Sequence, residues 1–557
     1  MVATRLQIVA SFVLFTLAAA PFAWRFTQIE RVELPEERIR ALNWSQSRFA
    51  QPETFAVAIY ALVDDTEASG ASEERERELS STVLASSADR IQYASVASVR
   101  VSKAQRQGLQ TAQNVQQVDD TLARILPPYV QSGAQFSIVL LCHDTKATDK
   151  DKDTLVVGKY RHAWSSQCSL SPNTKLFHAV ERLTQQHVFP TASVVATKKA
   201  RTALKYRLQF SLLKEGPELQ WQWEFSTRLF PRYLQVFVKK VGVLATFTVE
   251  TEVVHYARLA KEIQSSDDGK AFYVRANDLK QFKSTNDFLT SSVLDDREQV
   301  LHFMAALPVL EHSPLGIQAD EDEGHHRLAS SFEIPGWGGV AIVNTTRVIL
   351  DPSEDAHNQE TKRVMGVFLS QFRSLIGAPP FYARQRAEGQ EPQGQLIFLA
   401  SPQDGIADWE LDVIVRSLIK LHLRAAIMTL QSIVQLVAEM TEMSVLERVQ
   451  HRIETAVTLL EEILCVSESS TAGRECSAET DLSQLLAKVR KAAEHTDAAY
   501  YDHTMIRQLY FPQEQMFGVY APLLAPLILP FFVGLIREFK RWKAKTAERK
   551  KAAEKAL

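Results

Sequence analysis

The chain has 557 residues, 45% of them apolar, with 63 Lys and Arg against 66 Asp and Glu, and only 20 Gly and 21 Pro. This composition excludes collagen-like, low-complexity and wholly disordered proteins, and four cysteines are too few for a disulfide scaffold. At about 150 residues per domain the length suggests about three compact units, and the net charge of -3 conceals a basic C-terminus and an acidic remainder.

Residues 1–5 form a short cytoplasmic N-terminus ahead of a first apolar segment at 6–24, uncharged from Leu6 to Ala23 and bounded by Arg5 and Arg25. That length is near the lower limit for a membrane-spanning helix. The same stretch, with its charged start and the run Ala18-Ala19-Ala20, also has the make-up of a cleavable signal peptide.

Residues 25–405 read as a luminal mixed α/β domain. Phe55 to Val63 and Phe136 to Leu141 are short apolar runs rich in β-formers, as expected of buried strands. Between them, Glu73 to Ala88 and Lys103 to Ile125 have helical composition without proline, giving a β-α-β order. Leu219 to Arg228 alternates apolar with polar and Leu234 to Val254 is rich in β-branched residues, which predicts paired strands of a mixed or antiparallel sheet. Polar segments at Ser265 to Asp295 and Gln318 to Arg327 predict surface loops.

Residues 406–515 read as a luminal helical hairpin region. Leu411, Ile414, Leu418, Leu421, Ala425 and Met428 recur at spacings of three and four, the pattern of one buried helical face. Ser444-Val445-Leu446-Glu447 has the form of a capping box starting a second helix to about Leu464. A third helix is predicted from Leu482 to His495.

A second transmembrane helix is expected at 516–536, which is uncharged throughout and about as long as the roughly 20 residues a span needs. From Arg537 to Leu557 the chain carries nine Lys or Arg and three Glu. The positive-inside rule therefore places this basic tail, 537–557, in the cytoplasm. A signal for receiving a GPI anchor would end in its apolar run rather than in a long basic tail. The tail abuts a membrane helix, so membrane lipids explain its charge better than nucleic acid does. With the first segment retained, both termini are cytoplasmic and the bulk of the chain lies on the opposite side.

Two glycosylation sequons, at Asn43 and Asn344, fall between the anchors. Cys142 with Cys168 and Cys465 with Cys476 are the disulfide candidates by proximity in sequence; free buried thiols are the alternative.

No catalytic constellation emerges. Cys142 and His143 are adjacent in sequence, and at the end of a strand their side chains face opposite ways, so they do not form a nucleophile–base pair. Asp149, Asp151 and Asp153 imitate the opening of a calcium loop, but Thr154 and Tyr160 stand where its Gly and Glu are needed. Asp320 to Glu323 with His325 and His326 read as an exposed charged loop. No phosphate-cradling loop, zinc spacing or nucleophile elbow occurs, so no catalytic residue, metal or cofactor is expected.

Several segments, in order, resemble the PIG-S family, a noncatalytic subunit of the GPI transamidase in the endoplasmic reticulum. Leu509 to Leu523 (LYFPQEQMFGVYAPL), with Phe511, Pro512, Tyr520 and Pro522, is similar to the family's entry into its last membrane helix. Ile334 to Asn344, carrying Trp337, Gly338 and Gly339, resembles its proline, tryptophan and double-glycine strand. Met365 to Gly377 and Trp409-Glu410-Leu411-Asp412 follow the family pattern, and Leu34-Pro35 with Ile39 matches more loosely. In physical terms Trp337-Gly338-Gly339 reads as a turn or bulge with the indole in a core pocket.

The resemblance implies assembly with PIG-K, the cysteine-protease-like catalytic subunit, and with PIG-T, PIG-U and the GPI attachment protein subunit. It also implies transamidation by the whole complex: a thiolate on another chain attacks the proprotein, and the amine of the GPI lipid displaces the thioester. The competing reading is an independent membrane-tethered luminal hydrolase, whose acid and base would be assembled from distant sequence.

Overall fold

The computed structural model describes residues 31–44, 55–64, 91–126 (without 113), 136–141, 154–190 (without 168, 169 and 171–173), 203–257 (without 217–220 and 222), 263–275 (without 266–270), 298–344 (without 319–327), 354–378, 395–464 (without 441 and 442), 481–505 and 513–555, with a few isolated positions elsewhere. In chain order the first elements are helix α1 (Glu36–Ala41), strands β1 (Phe55–Asp64) and β2 (Ile91–Val101), helices α2 (Lys103–Thr111) and α3 (Val115–Ile125), and strands β3 (Phe136–Leu141), β4 (Thr154–Val157) and β5 (His162–Ser165). Then come helix α4 (Lys175–Leu183), strand β6 (Lys205–Lys214), helix α5 (Gln235–Val241) and strands β7 (Thr246–His255), β8 (Gln264–Ser265), β9 (Phe272–Arg275), β10 (Glu298–Leu307), β11 (Leu315–Gln318), β12 (Ser331–Ile334) and β13 (Gly338–Ile342). Helix α6 (Glu354–Ile376), strand β14 (Gln395–Phe398) and helices α7 (Asp408–Glu439), α8 (Glu447–Leu464), α9 (Leu482–Tyr500) and α10 (Gln513–Lys555) complete the order.

The chain divides into two units. One comprises residues 44–423 and 468–490; the other comprises 1–43, 424–467 and 491–557. The larger holds two principal sheets.

The first sheet has the order β14-β4-β5-β3-β1-β2 and is parallel except where β4 meets β5. Every residue of β3 is buried, as expected where a central parallel strand is covered on both faces. Phe136, Ile138 and Leu140 pack with Leu176, Phe177 and Val180 of α4 and Trp409 and Val413 of α7. On the other face Val139 and Leu141 meet Leu122 of α3 and Tyr60 and Leu62 of β1.

The second sheet has the order β12-β13-β10-β6-β7, with only β12 antiparallel. Phe210 of β6 and Phe303 of β10 stack at 5.1 Å and meet Phe368 and Phe372 of α6. The opposite face holds Met304, Ala306, Val340 and Trp337 against the small sheet β11-β9-β8.

In the smaller unit α8 buries Val449, Ile453, Ala456, Val457, Leu460 and Ile463, the three-and-four spacing of a helix in a bundle. Arg31 donates to the Val437 carbonyl at 2.7 Å, Gln431 donates to that of Leu42, and Arg38 grips Glu461 through two hydrogen bonds at 2.8 and 2.9 Å.

The mixed α/β character expected from the sequence is present, and the strands at Phe55 and Phe136 and the helices after Trp409 fall where their patterns predict. Four readings need correction. Lys103 to Ile125 is two helices, because Ser102 and Asn114 each cap a new start. The end of Leu219 to Arg228 is wound: Phe225–Leu234 is a π-helix whose Phe225 stacks on Phe210 at 4.4 Å. Leu234 to Val254 splits into α5 and β7, and β7 pairs in parallel with β6, the strand before it, rather than with the 219–228 stretch. Along α7, Ile414 and Leu418 are buried, whereas Leu421, Ala425 and Met428 face outward.

The capping box is also displaced. Helix α8 begins at Glu447 and its first turn hydrogen-bonds to the Leu446 carbonyl, so Ser444 lies outside the capping position.

Among the described residues no helix is long and apolar enough to cross a membrane. Apart from isolated positions, the 6–24 segment lies outside the described residues, as do several side chains within 516–536 and the predicted helix Glu73 to Ala88 except Arg77.

Candidate functional site

The densest polar arrangement lies where the first turn of α7 meets the β4–β5 hairpin, and it is built from the Trp409-Glu410-Leu411-Asp412 motif. Trp409 is buried and its indole N–H donates to the Gly158 carbonyl at 3.1 Å. The Asp408 N–H donates to the Lys159 carbonyl at 2.8 Å. Arg161 closes the hairpin with a two-pronged pair on Asp412, at 2.6 and 2.9 Å. Burial pulls the Arg161 guanidinium down, but the hydrogen bonds and charge of Asp412 outweigh it and the net direction is up.

The same turn fixes the loop to the second sheet's helices. Glu410, 1% exposed, takes two hydrogen bonds from Arg373 of α6, at 2.5 and 3.2 Å, and accepts from the Ala407 N–H at 2.6 Å. Burial pushes the Glu410 carboxyl up despite Arg373. Arg373 also donates to the Gly405 carbonyl, and Lys240 of α5 reaches Asp404, Asp408 and the Ile406 carbonyl. Segment 404–412 is thereby tied to both sheets of its unit.

On the other side of the hairpin, Asp120 of α3 takes hydrogen bonds from Lys159 and from the Tyr160 hydroxyl at 2.8 Å. Burial raises the Asp120 carboxyl, and these two partners more than reverse the effect. Beside it Asp119 accepts from the Lys159 N–H and stands 2.9 Å from His162 Nε2. Ser137 faces His162 across the β3–β5 ladder. A serine, a histidine and an aspartate thus lie together, but all three are buried to 1% exposure or less and present no surface to a substrate. The chemistry this arrangement supports is the fixing of a loop by matched charges, and no nucleophile faces solvent within it.

The Trp337-Gly338-Gly339 element is a second ordered site. Trp337 is 3% exposed and stacks on His302 at 4.9 Å. Gly338 has φ 152°, and a Cβ there would lie 1.9 Å from the His302 carbonyl oxygen. At Gly339 a Cβ would meet the Gln371 amide at 2.3 Å, the amide that donates to the Phe332 and Val340 carbonyls.

Of the remaining residues singled out from sequence, Asn43 is exposed and Asn344 is half-buried, its carboxamide oxygen accepting the Leu315 N–H at 2.9 Å. Pro522 is exposed on α10. Cys142, Cys168, Cys465, Cys476, His143, Phe511, Pro512, the Asp149 to Asp153 run and the Asp320 to His326 run lie outside the described residues, as does the Tyr520 side chain. Among the described residues no cluster of three His, Cys, Asp or Glu could hold a metal ion. Arg373 falls within the Met365 to Gly377 segment singled out from sequence, but Arg161, which meets the α7 motif from 251 residues away, and Lys240, which meets Asp404 just ahead of that motif from 164 residues away, carry no local pattern that marks them.

Fold and site together define a two-sheet α/β protein in which charged side chains fix the loop between the sheets. The chain belongs to the PIG-S family, whose model, described as phosphatidylinositol-glycan biosynthesis class S protein, matches residues 10–545. It is 25% identical to a GPI-anchor transamidase component of Bos taurus over 94% of this chain and 93% of that one, and 25% identical to the Homo sapiens component over the same shares. The Saccharomyces cerevisiae GPI transamidase component GPI17 is 25% identical over 76% of each chain.

Proposed function

We propose that this chain is a noncatalytic assembly subunit of the GPI transamidase, the complex that replaces the C-terminal signal of proproteins with a preformed GPI anchor in the endoplasmic reticulum. The family match over residues 10–545 carries this reading, and relatives from mammals to yeast bear the name of transamidase component. The catalytic cysteine is assigned to the PIG-K subunit, and PIG-T, PIG-U and the GPI attachment protein subunit are the other expected partners.

Two membrane spans, at 6–24 and 516–536, complete the proposal. The helical backbone of α10 and the outward exposure of Leu529, Phe532 and Ile536, each above half, support the second. Those side chains would be costly in water and are at home in hydrocarbon.

The test is purification of the tagged full-length chain from membranes in mild detergent, with mass spectrometry of its companions. Stoichiometric recovery of the cysteine-protease-like subunit is the expected result, and a monodisperse chain purified alone would overturn the reading. Cys142→Ser distinguishes the hydrolase alternative: GPI attachment should persist in cells carrying that variant if the chain is a scaffold.

A further inference from the structure

Strand β7 closes one side of the five-stranded sheet, and among the described residues no element pairs with its outer edge. Its ten residues run in unbroken register with β6, from Thr246 opposite Lys205 to His255 opposite Lys214. The Thr246 N–H donates to the Leu204 carbonyl at 3.1 Å, which sets the alternation. Thr246, Thr248, Glu250, Glu252 and Val254 direct their main-chain groups to β6, while Phe247, Val249, Thr251, Val253 and His255 direct theirs outward.

Natural sheets blunt such an edge with a short strand, a bulge, a proline or a lysine. This strand uses none of these devices. It contains no Pro, Lys or Arg, its register has no shift, and the apolar side chains at its far end stand in the open, Val253 at 41% and Tyr256, with φ 58°, at 71% exposure. Its only formal charges are Glu250 and Glu252. The Glu252 carboxylate takes a hydrogen bond from Ser211, whereas the Glu250 side chain is half exposed, 3.6 Å from Arg207.

We infer that the outer edge of β7 accepts an extended segment of another transamidase subunit as a sixth strand, by main-chain pairing with Phe247 to His255. The guest strand carries Lys or Arg opposite Glu250, because opposite charges pair favourably across neighbouring strands, and an apolar side chain against Val253 and Tyr256. Main-chain bonds give this mode its affinity and the alternating side chains its selectivity.

The inference rests on the proposed membership of the complex, and the test separates the two. Full-length tagged chain, wild type and Val253→Pro, is purified from membranes in mild detergent. Proline at 253 removes an outward donor that β6 does not use, an edge position where proline is tolerated. The expected result is wild type with its companions, and a variant that melts at the same temperature but recovers them at least tenfold less well. In parallel, a photoreactive phenylalanine analogue at position 255 of the otherwise wild-type chain is expected to cross-link to one Lys- or Arg-bearing stretch of a companion subunit. That second measurement decides the matter if the proline variant misfolds.

Undiminished companions on a folded Val253→Pro chain overturn the inference, as does a cross-link within the same chain or to a second copy of it. A wild-type chain without companions overturns the complex membership itself.

Discussion

At the scale of single residues, the Gly339 Cα lies so close to the Gln371 amide that a methyl group has no room. Gly339→Ala is expected to displace the amide that bridges the Phe332 and Val340 carbonyls and to destabilise the chain by about 1–3 kcal/mol, the usual cost of overpacking. An unchanged thermal midpoint would show that the amide can move without loss. Arg373→Ala makes the opposite kind of error, leaving Glu410 buried without its guanidinium. Breaking a buried pair in this way costs roughly 3–5 kcal/mol, and the double variant Arg373→Ala/Glu410→Gln should recover part of that loss, because the uncompensated charge is gone. Asn344 calls for a finer distinction, since its carboxamide oxygen is already committed to Leu315. Asn344→Gln moves that acceptor and should lower stability whether or not a glycan is attached. Thr346→Ala removes the sequon while leaving the Asn344 side chain in place, so a mass loss with an unchanged melting temperature would assign the site to glycosylation.

At the scale of elements, the C-terminus of α9 is pinned to α8 by charge. Asp502 accepts from Arg448 at 2.9 and 3.0 Å, stands 3.3 Å from Arg452 and takes the Thr504 N–H. Burial raises its carboxyl, but these partners hold it at about 2, below the ordinary 3.8. A carboxyl lowered in the folded state stabilises fully above its unfolded value. Its contribution is therefore present above about pH 3.8 and is lost as the pH falls through about 2. Arg448→Ala should lessen that acid sensitivity, read from denaturant midpoints of the detergent-solubilised chain between pH 2 and 5; an identical profile would remove Asp502 from the account. Elements like these differ in how openly the sequence announces them. Strand β3 is an unmixed apolar run and α8 repeats at three and four, so burial and period agree and both are readable. The stretch ending at Arg228 alternates like a strand, yet Phe225 is drawn into the aromatic layer with Phe210 and the chain winds instead. The outward turn of Leu421 and Met428 is hidden for a related reason: a three-and-four pattern shows that a stripe exists, not what lies against it. The loop-fixing site was visible only in part, as the motif on α7 and the segment that holds Arg373, because Arg161 acquires its meaning only when the sheet forms.

At the scale of the whole molecule, charge and hydrophobicity are distributed unequally along the chain. Residues 537–557 carry nine Lys or Arg and three Glu, while the rest of the chain has more acidic than basic side chains. A basic segment directly after an uncharged stretch of span length is retained on the cytoplasmic side, so the topology proposed above makes a definite mechanical prediction. In sealed microsomes, protease added outside should remove a C-terminal tag at once and leave the segment between the two anchors intact until detergent is added. The helical continuity of α10 from Gln513 to Lys555 sharpens this, since 43 residues of helix extend about 65 Å at 1.5 Å per residue, roughly twice the hydrocarbon thickness. More than 20 Å of helix would then project beyond the membrane, long enough for a protease to reach the tag. A tag protected in intact vesicles would reverse the orientation, and cleavage throughout 25–515 without detergent would deny that this segment is enclosed at all. N-terminal sequencing of the protected fragment answers the question left open at the other end: a start near residue 25 in untreated membranes means that the first apolar segment is cleaved as a signal, and a start at the initiator region means that it is kept as an anchor.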